Sequence, residues 1–192
     1  MLCSPAMGKG VDEDLRQATI AVLAEAGWAG VTMERVAEHA GQSRVTLWRQ
    51  GVNRQTLLDA LVTKLAADYR ERMWPVLVAS GSGRDRLEKA IEALCEVIDD
   101  HLPLVLASDT VFHHQPESGP GIVYLEPFDR LLRDGVADGT LQVPGRVDDA
   151  ADTVMNAVTW TYAHLRGRHH WSRNRARDQV RAVVLRGVAA DG

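Results

Sequence analysis

Arginine is the residue type in this chain that is best placed to do chemistry, and it is unevenly distributed. The 192-residue chain carries a net charge of −4, which taken alone disfavours a nucleic-acid-binding protein. From Arg35 to Arg54, however, there are four arginines and one acid, whereas from Arg84 to Asp152 there are fifteen acids and six bases. A second basic stretch, His164–Arg186, holds seven arginines and one acid. Because DNA affinity depends on local neutralisation of phosphates, the sequence is compatible with a basic binding patch on an acidic body.

The other reactive residue types do not form a catalytic or metal-binding set. In the pairs His113–His114 and His169–His170 the two side chains would point about 100° apart on a helix, so neither pair is suited to chelate one metal ion. Cys95 lies in an apolar helical stripe, where a thiol is inert, and Cys3 lies in an N-terminal tail. The chain lacks a nucleophile elbow, a phosphate-binding loop and an acidic metal motif. We therefore expect no enzyme, no catalytic residue, no metal and no cofactor.

Hydrophobic spacing of about 3.6 residues predicts an all-α fold of about nine helices. The first three predicted helices are Asp12–Ala26, a short one after the N-cap Thr32 and a short one after Ser43. The fourth runs from Asn53 to about Trp74, where Pro75 ends or kinks it, and the linker Ala79–Gly83 follows. The remaining helices are one carrying Leu87 to Ile98, one containing Leu104–Phe112 and, after a loop at Gln115–Gly121, Ile122–Val136, Val147–Leu165 and Ser172–Val188. The predicted organisation is a disordered tail (1–11), a DNA-binding domain (12–58) and a ligand-binding and dimerisation domain (59–192).

Two short helices on either side of Gly41 have the organisation of a helix-turn-helix. The second helix must be packed from behind and must present small or polar residues in front, so that its leading end fits the major groove of DNA. Leu47 is predicted to pack behind, against Val36 and Ala40. The front consists of Gln42, Ser43, Arg44, Val45, Thr46, Trp48 and Arg49.

The segment Gly30–Gly41 resembles the tetracycline-repressor (TetR) family, in which a glycine and a β-branched pair precede an alanine-rich helix and a turn glycine. Ser43–Arg49 is similar to the recognition helix of that family, and Asn53–Leu58 to the start of its fourth helix. The detailed resemblance covers about Asp12–Leu61. It implies an N-terminal three-helix helix-turn-helix domain followed by a helical ligand-binding and dimerisation domain.

The resemblance also implies individual roles. Thr32 would bind phosphate, Arg44, Val45 and Thr46 would face base edges, and Arg54 would bind phosphate at the start of the fourth helix. Trp48 and Arg49 would contact the sugar-phosphate backbone, although Trp48 could equally be a core residue. The full set of predicted DNA-binding residues is Thr32, Gln42, Ser43, Arg44, Val45, Thr46, Trp48, Arg49 and Arg54.

The chain departs from the family pattern at two positions. Gly51 stands where the family usually has an aromatic residue that packs the recognition helix against the fourth helix. Its presence predicts either a looser loop or a transfer of that packing to Trp48. Val45 stands where the family often has glycine, and its larger side chain could touch a thymine methyl group.

The later helices are assigned to dimerisation and ligand binding. The resemblance implies a homodimer formed by the last two helices, and the predicted interface residues are Val154, Val158, Thr161, Leu165, Val180 and Val184. The predicted ligand pocket, whose members could alternatively be core residues, is lined by Trp74, Leu94, Ile98, Leu106, Phe112, Tyr124, Phe128 and Trp160. Trp160 could also anchor the interface.

These observations predict a cytoplasmic, sequence-specific transcriptional regulator. The resemblance favours a repressor that binds a palindromic operator in double-stranded DNA and is released by a small-molecule effector. No stretch approaches the ~20 apolar residues of a membrane span, so no membrane partner is expected. The alternative is a protein of the same fold that binds ligands or partners and whose DNA binding is weak or lost.

Overall fold

The computed structural model describes residues 11–112 and 125–190. The predicted tail up to residue 10, the loop at Gln115–Gly121 and the first residues of the helix predicted from Ile122 lie outside the described residues. The described part contains nine α-helices. Within it, the nearest thing to a strand is an isolated bridge between Leu141 and Ala189. None of the described helices has the length and apolar character that crossing a membrane requires.

The first of two compact units comprises the described residues up to Lys64 together with those from Ala107 to Phe112. It contains α1 (Glu13–Ala26), a 3₁₀ turn (Trp28–Gly30), α2 (Met33–His39), α3 (Arg44–Arg49) and the beginning of α4 (Arg54–Val78). Asp12 caps α1 by accepting the Leu15 N–H at 3.0 Å. α1 packs on α2, and α2 packs on α3. The buried core of this unit includes Leu15, Val22, Leu23, Val36, Leu47, Leu57, Leu58 and Leu61.

The second unit comprises Leu65–Leu106 and the described residues from Leu125 onward. It contains the later part of α4, then α5 (Gly83–Asp100), the first turn of α6 (Leu102–Phe112), α7 (Glu126–Ala137), α8 (Val147–Gly167) and α9 (Arg173–Val188). α5 is the central helix of this unit because it packs against α7, α8 and α9. Its predicted apolar stripe, from Leu87 to Ile98, is buried as expected.

Helix α4 extends further than the sequence predicted. Pro75 lies inside the helix, which continues to Val78 instead of ending near Trp74. A proline removes one backbone donor, but so close to a helix end the loss concerns a single hydrogen bond. The helix therefore passes through Pro75 and ends at the linker, where Ser82 begins α5 with a capping box that it forms with Asp85.

The start of α5 lies unusually close to α7. A Cβ atom added to Gly83 would lie 2.2 Å from the Cα atom of Gly135. The Gly83 N–H donates to the Asp138 carboxylate at 2.6 Å, and this carboxylate also accepts from Thr140. These hydrogen bonds lower the pKa of Asp138, so it remains ionised and keeps accepting them. The contact requires a residue with no side chain at position 83.

Candidate nucleic-acid interface

Both helices of the helix-turn-helix begin with a side-chain cap. Thr32 Oγ1 accepts the Arg35 N–H at 3.3 Å at the start of α2. Ser43 Oγ accepts the Thr46 N–H at 3.1 Å at the start of α3, and it also lies 2.9 Å from the Thr46 hydroxyl. Each cap satisfies a backbone donor that has no partner within its helix. The hydroxyl proton of Thr32 can still be donated to a phosphate.

Both helices also end in the same type of turn. Gly41 has φ +61° and Gly51 has φ +74°, and each closes a Schellman motif. After α2 the Gln42 N–H donates to the Ala37 carbonyl at 2.9 Å, and after α3 the Val52 N–H donates to the Leu47 carbonyl at 3.0 Å. The left-handed backbone at these two positions favours glycine. The ends of α3 are therefore fixed by hydrogen bonds within its own sequence neighbourhood.

Consequently, neither effect predicted for Gly51 occurs. The turn is closed rather than loose, and Trp48 takes over no packing, because 77% of its surface is exposed. Val52 is buried instead, as is Leu47. Apolar residues at these two positions usually accompany a Schellman motif. An aromatic residue at position 51 would have to adopt a backbone conformation that suits glycine.

Apart from Leu47, the residues of α3 are exposed to solvent. Leu47 has no exposed surface, whereas Val45 is 56% exposed. Ser43, Arg44, Thr46, Trp48 and Arg49 are likewise exposed. Gln42 is half-buried, and its Oε1 atom has no hydrogen-bond partner among the described residues. The choice left open for Trp48 is thus resolved in favour of the surface.

Two exposed arginines of this unit are held by neighbouring groups. The Arg44 guanidinium lies 2.6 Å from the Glu34 carboxylate of α2. Arg54 donates to the carbonyl oxygen of Trp28, and its guanidinium carbon lies 4.3 Å from the centre of the Trp28 ring. By contrast, Arg49 makes no ion pair with a described residue. Neither Trp28 nor Glu34 could be recognised from the sequence, because nothing in the local pattern signals a contact with a residue of another element.

These features match a family of known regulators. Residues 15–61 match the model described as bacterial regulatory proteins, tetR family. Within these residues the chain carries a DNA-binding domain of the tetR-family type. The chain is a DNA-binding transcriptional regulator, and its helix-turn-helix is the DNA-binding element. A search of curated protein sequences found no significant match.

Solved structures extend the similarity in fold to nearly the whole regulator. The ketosteroid transcriptional regulator KstR2 of Mycobacterium tuberculosis has a TM-score of 0.77 at 19% identity, covering 97% of this chain and 100% of that one. A tetR-family protein from Rhodococcus RHA1 has a TM-score of 0.79 at 16% identity, covering 93% and 97%. FadR from Bacillus subtilis, solved with stearoyl-CoA, has a TM-score of 0.72 at 16% identity, covering 91% and 97%. At these identities the likeness shows the shared fold.

The predicted dimer stripe lies largely inside the core of the single chain. Four of its six members, Val154, Val158, Val180 and Val184, are buried in the single chain. They are buried because the stripe was chosen for apolar character, and the apolar face of each helix is turned inward. Thr161 is exposed and Leu165 is half-buried. The exposed residues on these two helices include Ala157, Trp160 and Val183.

The predicted pocket residues of the regulator do not enclose a common cavity among the described residues. Leu94, Ile98 and Phe128 are buried core residues, whereas Trp74, Leu106 and Trp160 are exposed. The side chain of Phe112 and the whole of Tyr124 lie outside the described residues. A cavity of about 340 Å³ exists elsewhere and has a polar lining, which consists of Arg72, Cys95, Glu96, Asp99, Asp100, Tyr162, Arg173, Asn174 and Arg177.

The histidines and the cysteine that were considered for metal or nucleophilic chemistry have structural surroundings. The His164 and His169 rings stack edge to face with centroids 4.9 Å apart, and the described residues contain no group of three metal-ligating side chains. His113 and His114 lie outside the described residues. Burial raises the pKa of the Cys95 thiol to about 12, so the thiol is protonated near neutral pH and is a poor nucleophile.

Proposed function

We propose that this chain is a homodimeric repressor that reads a palindromic operator with α3 and leaves it when a small molecule binds. The observation that carries the proposal is the asymmetry of α3. Leu47 is fully buried, whereas Arg44, Val45, Trp48 and Arg49 are exposed to solvent. A short helix that is anchored from behind and open in front has the geometry that enters a major groove.

The exposed side chains support different kinds of DNA contact. Arg44 lies at the leading end of α3, and its guanidinium can bind the O6 and N7 atoms of guanine together. Releasing Arg44 from Glu34 costs little, because exposed ion pairs contribute only about 0–1 kcal/mol. Val45 is placed to touch a thymine methyl group, and Thr46 can hydrogen-bond a base edge. Thr32, Arg49 and Arg54 are suited to phosphates and Trp48 to the sugar-phosphate backbone, with Gln42 and Ser43 at the entry to the helix.

The proposed dimer uses the exposed residues of α8 and α9. Trp160 is 43% exposed and Val183 is 59% exposed, and such apolar side chains gain most from burial against a second copy. Thr161 lies beside them on α8. A twofold dimer matches a palindromic operator if its two copies of α3 are ~34–36 Å apart, one turn of DNA. We propose the cytoplasm as its location because operator DNA is found there.

Release by an effector is supported by the second unit and by the similar proteins. A helical unit with a polar cavity follows the DNA-binding residues, and one protein of the same fold was solved with stearoyl-CoA. A ligand that binds better to a conformation unable to fit the operator lowers the fraction of protein on DNA. This linkage makes the chain a repressor that responds to a metabolite.

The proposal is tested by recovering bound DNA fragments from genomic DNA and measuring gel shifts on the enriched sequence. Arg44→Ala should weaken operator binding by about 1–3 kcal/mol and relax the choice of base at one position in each half-site. Arg54→Ala should weaken all duplexes alike and lower the salt dependence of binding. Arg130→Ala, an exposed change on α7 outside both proposed surfaces, serves as the matched control and should bind like the parent.

Two outcomes would contradict the proposal. If Arg44→Ala left affinity and base preference unchanged, α3 would not read DNA in the stated register. If no sequence were enriched and binding were uniform and steeply salt-dependent, the chain would be the alternative, a protein of this fold without specific DNA binding. The closed turn at Gly51 supports the proposal over this alternative, because hydrogen bonds fix the end of α3 without an aromatic residue at position 51.

A further inference from the structure

The turn between α8 and α9 lies in the second basic stretch of the sequence, which contributes no residue to the proposed DNA contacts. The Arg168 and His169 N–H groups both donate to the His164 carbonyl oxygen, at 2.8 and 3.3 Å. The next residue, His170, has φ +53° and is the only described residue other than glycine with a left-handed backbone. These hydrogen bonds fold the chain back on the last turn of α8, where the His169 ring meets that of His164.

A buried carboxylate fixes the position of this turn. Asp99 of α5 is almost completely buried and accepts from Arg166 Nε at 2.6 Å. A second nitrogen of the same guanidinium donates to the Trp171 carbonyl oxygen, at the far end of the turn. Arg166 thus joins the end of α8, the turn and α5. A site in the turn is therefore held in place before a ligand arrives, so less conformational freedom is lost on binding.

The two histidine rings face each other with the same type of nitrogen. Their Nε2 atoms are 3.1 Å apart, their centroids are 4.9 Å apart and the ring planes are inclined by 64°. Imidazole nitrogens that bind one metal ion at about 2.0–2.1 Å are separated by about 2.8–3.4 Å, for bond angles between octahedral and tetrahedral. The structure thus holds His164 and His169 at the nitrogen separation of a metal-binding pair.

The surroundings of the pair determine which ions it can hold. Both side chains are exposed, so water can fill the coordination positions that the described residues leave open. The turn is basic, but Asp99 lies 2.6 Å from Arg166 and 3.4 Å from Arg173 and balances part of their charge. The remaining positive charge disfavours ions that are held mainly by carboxylates, such as Mg²⁺. Ions that bind neutral imidazole strongly are favoured instead.

We propose that His164 and His169 bind one divalent transition-metal ion of the class that imidazole prefers, such as Ni²⁺, Cu²⁺ or Zn²⁺. Without metal, one ring donates its Nε2–H to the Nε2 lone pair of the other. When the ion binds, the donating ring carries its proton on Nδ1 instead, so both lone pairs face the metal and no net proton is released. With two protein ligands and water in the other positions, the ion exchanges with solvent and is not a permanent part of the fold.

Binding is tested on the chain without a polyhistidine tag, by isothermal titration calorimetry with NiCl₂ and ZnCl₂ in buffer free of chelators. The parent chain should bind one ion at this site. His164→Gln and His169→Gln should each weaken binding tenfold or more, because only one ligand remains. Both residues are exposed, so both variants should fold, which far-UV circular dichroism checks. A saturating ion should also raise the melting temperature of the parent chain but not that of His169→Gln.

The matched control is His170→Asn, which removes the neighbouring histidine of the same turn. Asparagine tolerates a left-handed backbone, so this variant should fold and should bind the ion like the parent. The double variant H113N/H114N changes two histidines outside the described residues and should also bind like the parent. MgCl₂ is the control for binding to the acidic surface of the chain, and its heat should be the same for the parent and for His169→Gln.

The proposed site would be overturned by no heat from NiCl₂ or ZnCl₂, by unchanged binding in His164→Gln or His169→Gln, or by loss of binding in either control variant. Electron paramagnetic resonance of bound Cu²⁺ gives an independent check. Hyperfine coupling to two imidazole nitrogens is expected, and coupling to fewer would contradict the assignment. The site belongs to the second unit, so its test does not depend on operator binding. A parent chain that binds the metal but no operator would contradict only the proposed function.

Discussion

Helix α3 and the polar cavity are built on opposite principles. Every group that defines α3 lies within a few residues of it, from the Ser43 cap to the Val52 N–H that closes its last turn. The cavity instead brings together residues from Arg72 to Arg177, on four different helices. A DNA-reading element can therefore be recognised from its own short sequence, whereas a cavity in the same chain depends on long-range packing.

The sharpest test of this contrast uses two adjacent residues of α3. Leu47→Ala removes a side chain with no exposed surface and should lower the free energy of unfolding by about 2–5 kcal/mol. Trp48→Ala removes a larger side chain that is 77% exposed and should change it by no more than about 0.5 kcal/mol, while operator affinity falls. Urea unfolding and gel shifts on both variants measure these effects. Equal destabilisation by the two changes would mean that Trp48 packs against the body.

A second test addresses the long-range contact between α5 and α7. Gly83→Ala places a methyl group 2.2 Å from the backbone of Gly135 and should destabilise the fold by about 1–3 kcal/mol. Gly187→Ala is the matched control, since it lies in α9 with open space around its position, and should be neutral or stabilising by up to about 1 kcal/mol. Chemical unfolding of the two variants distinguishes the effects. A neutral Gly83→Ala would show that the helices can separate without cost.

Placing an aromatic residue at position 51, as the family usually has, should lower the stability of the fold rather than raise it. The expected effect is smaller than that of Gly83→Ala. Gly51→Phe forces a side chain into a backbone conformation with φ +74° and should cost about 1–2 kcal/mol of stability. A Cβ atom added at this glycine would have no neighbouring atom within 4 Å, so the cost comes from the backbone rather than from a clash. A melting temperature above that of the parent would indicate that the turn rearranges to accept the ring.

The smallest expected effect concerns the cap of α3. Ser43→Ala removes the acceptor of the Thr46 N–H and should cost about 1 kcal/mol. Ser43→Asn keeps a capping side chain and should recover most of the lost stability. Thermal unfolding compares the two. If asparagine were as destabilising as alanine, the cap would not be what fixes the start of α3.

The same distinction explains what the sequence could predict. Caps such as Asp12 and Thr32, the turn glycine Gly41 and the apolar stripe of α5 are local signals, and the structure confirms them. The extension of α4 beyond Pro75 was missed because a single proline near a helix end is ambiguous.

The predicted pocket and interface residues were chosen from apolar spacing, which identifies the buried face of a helix but not what covers it. Val158 and Val180 therefore turned out to be core residues. The cavity was missed because its arginines and carboxylates have no sequence spacing in common.

The contact between Arg54 and Trp28 has an entropic consequence. A long cationic side chain that binds a phosphate normally gives up much of its rotational freedom, and this loss subtracts from affinity. Stacking on an indole and donating to a carbonyl oxygen immobilise the Arg54 guanidinium before any DNA arrives. The ordering therefore belongs to folding rather than to complex formation. If Arg54 binds phosphate as proposed, Trp28 contributes to operator affinity without touching the duplex.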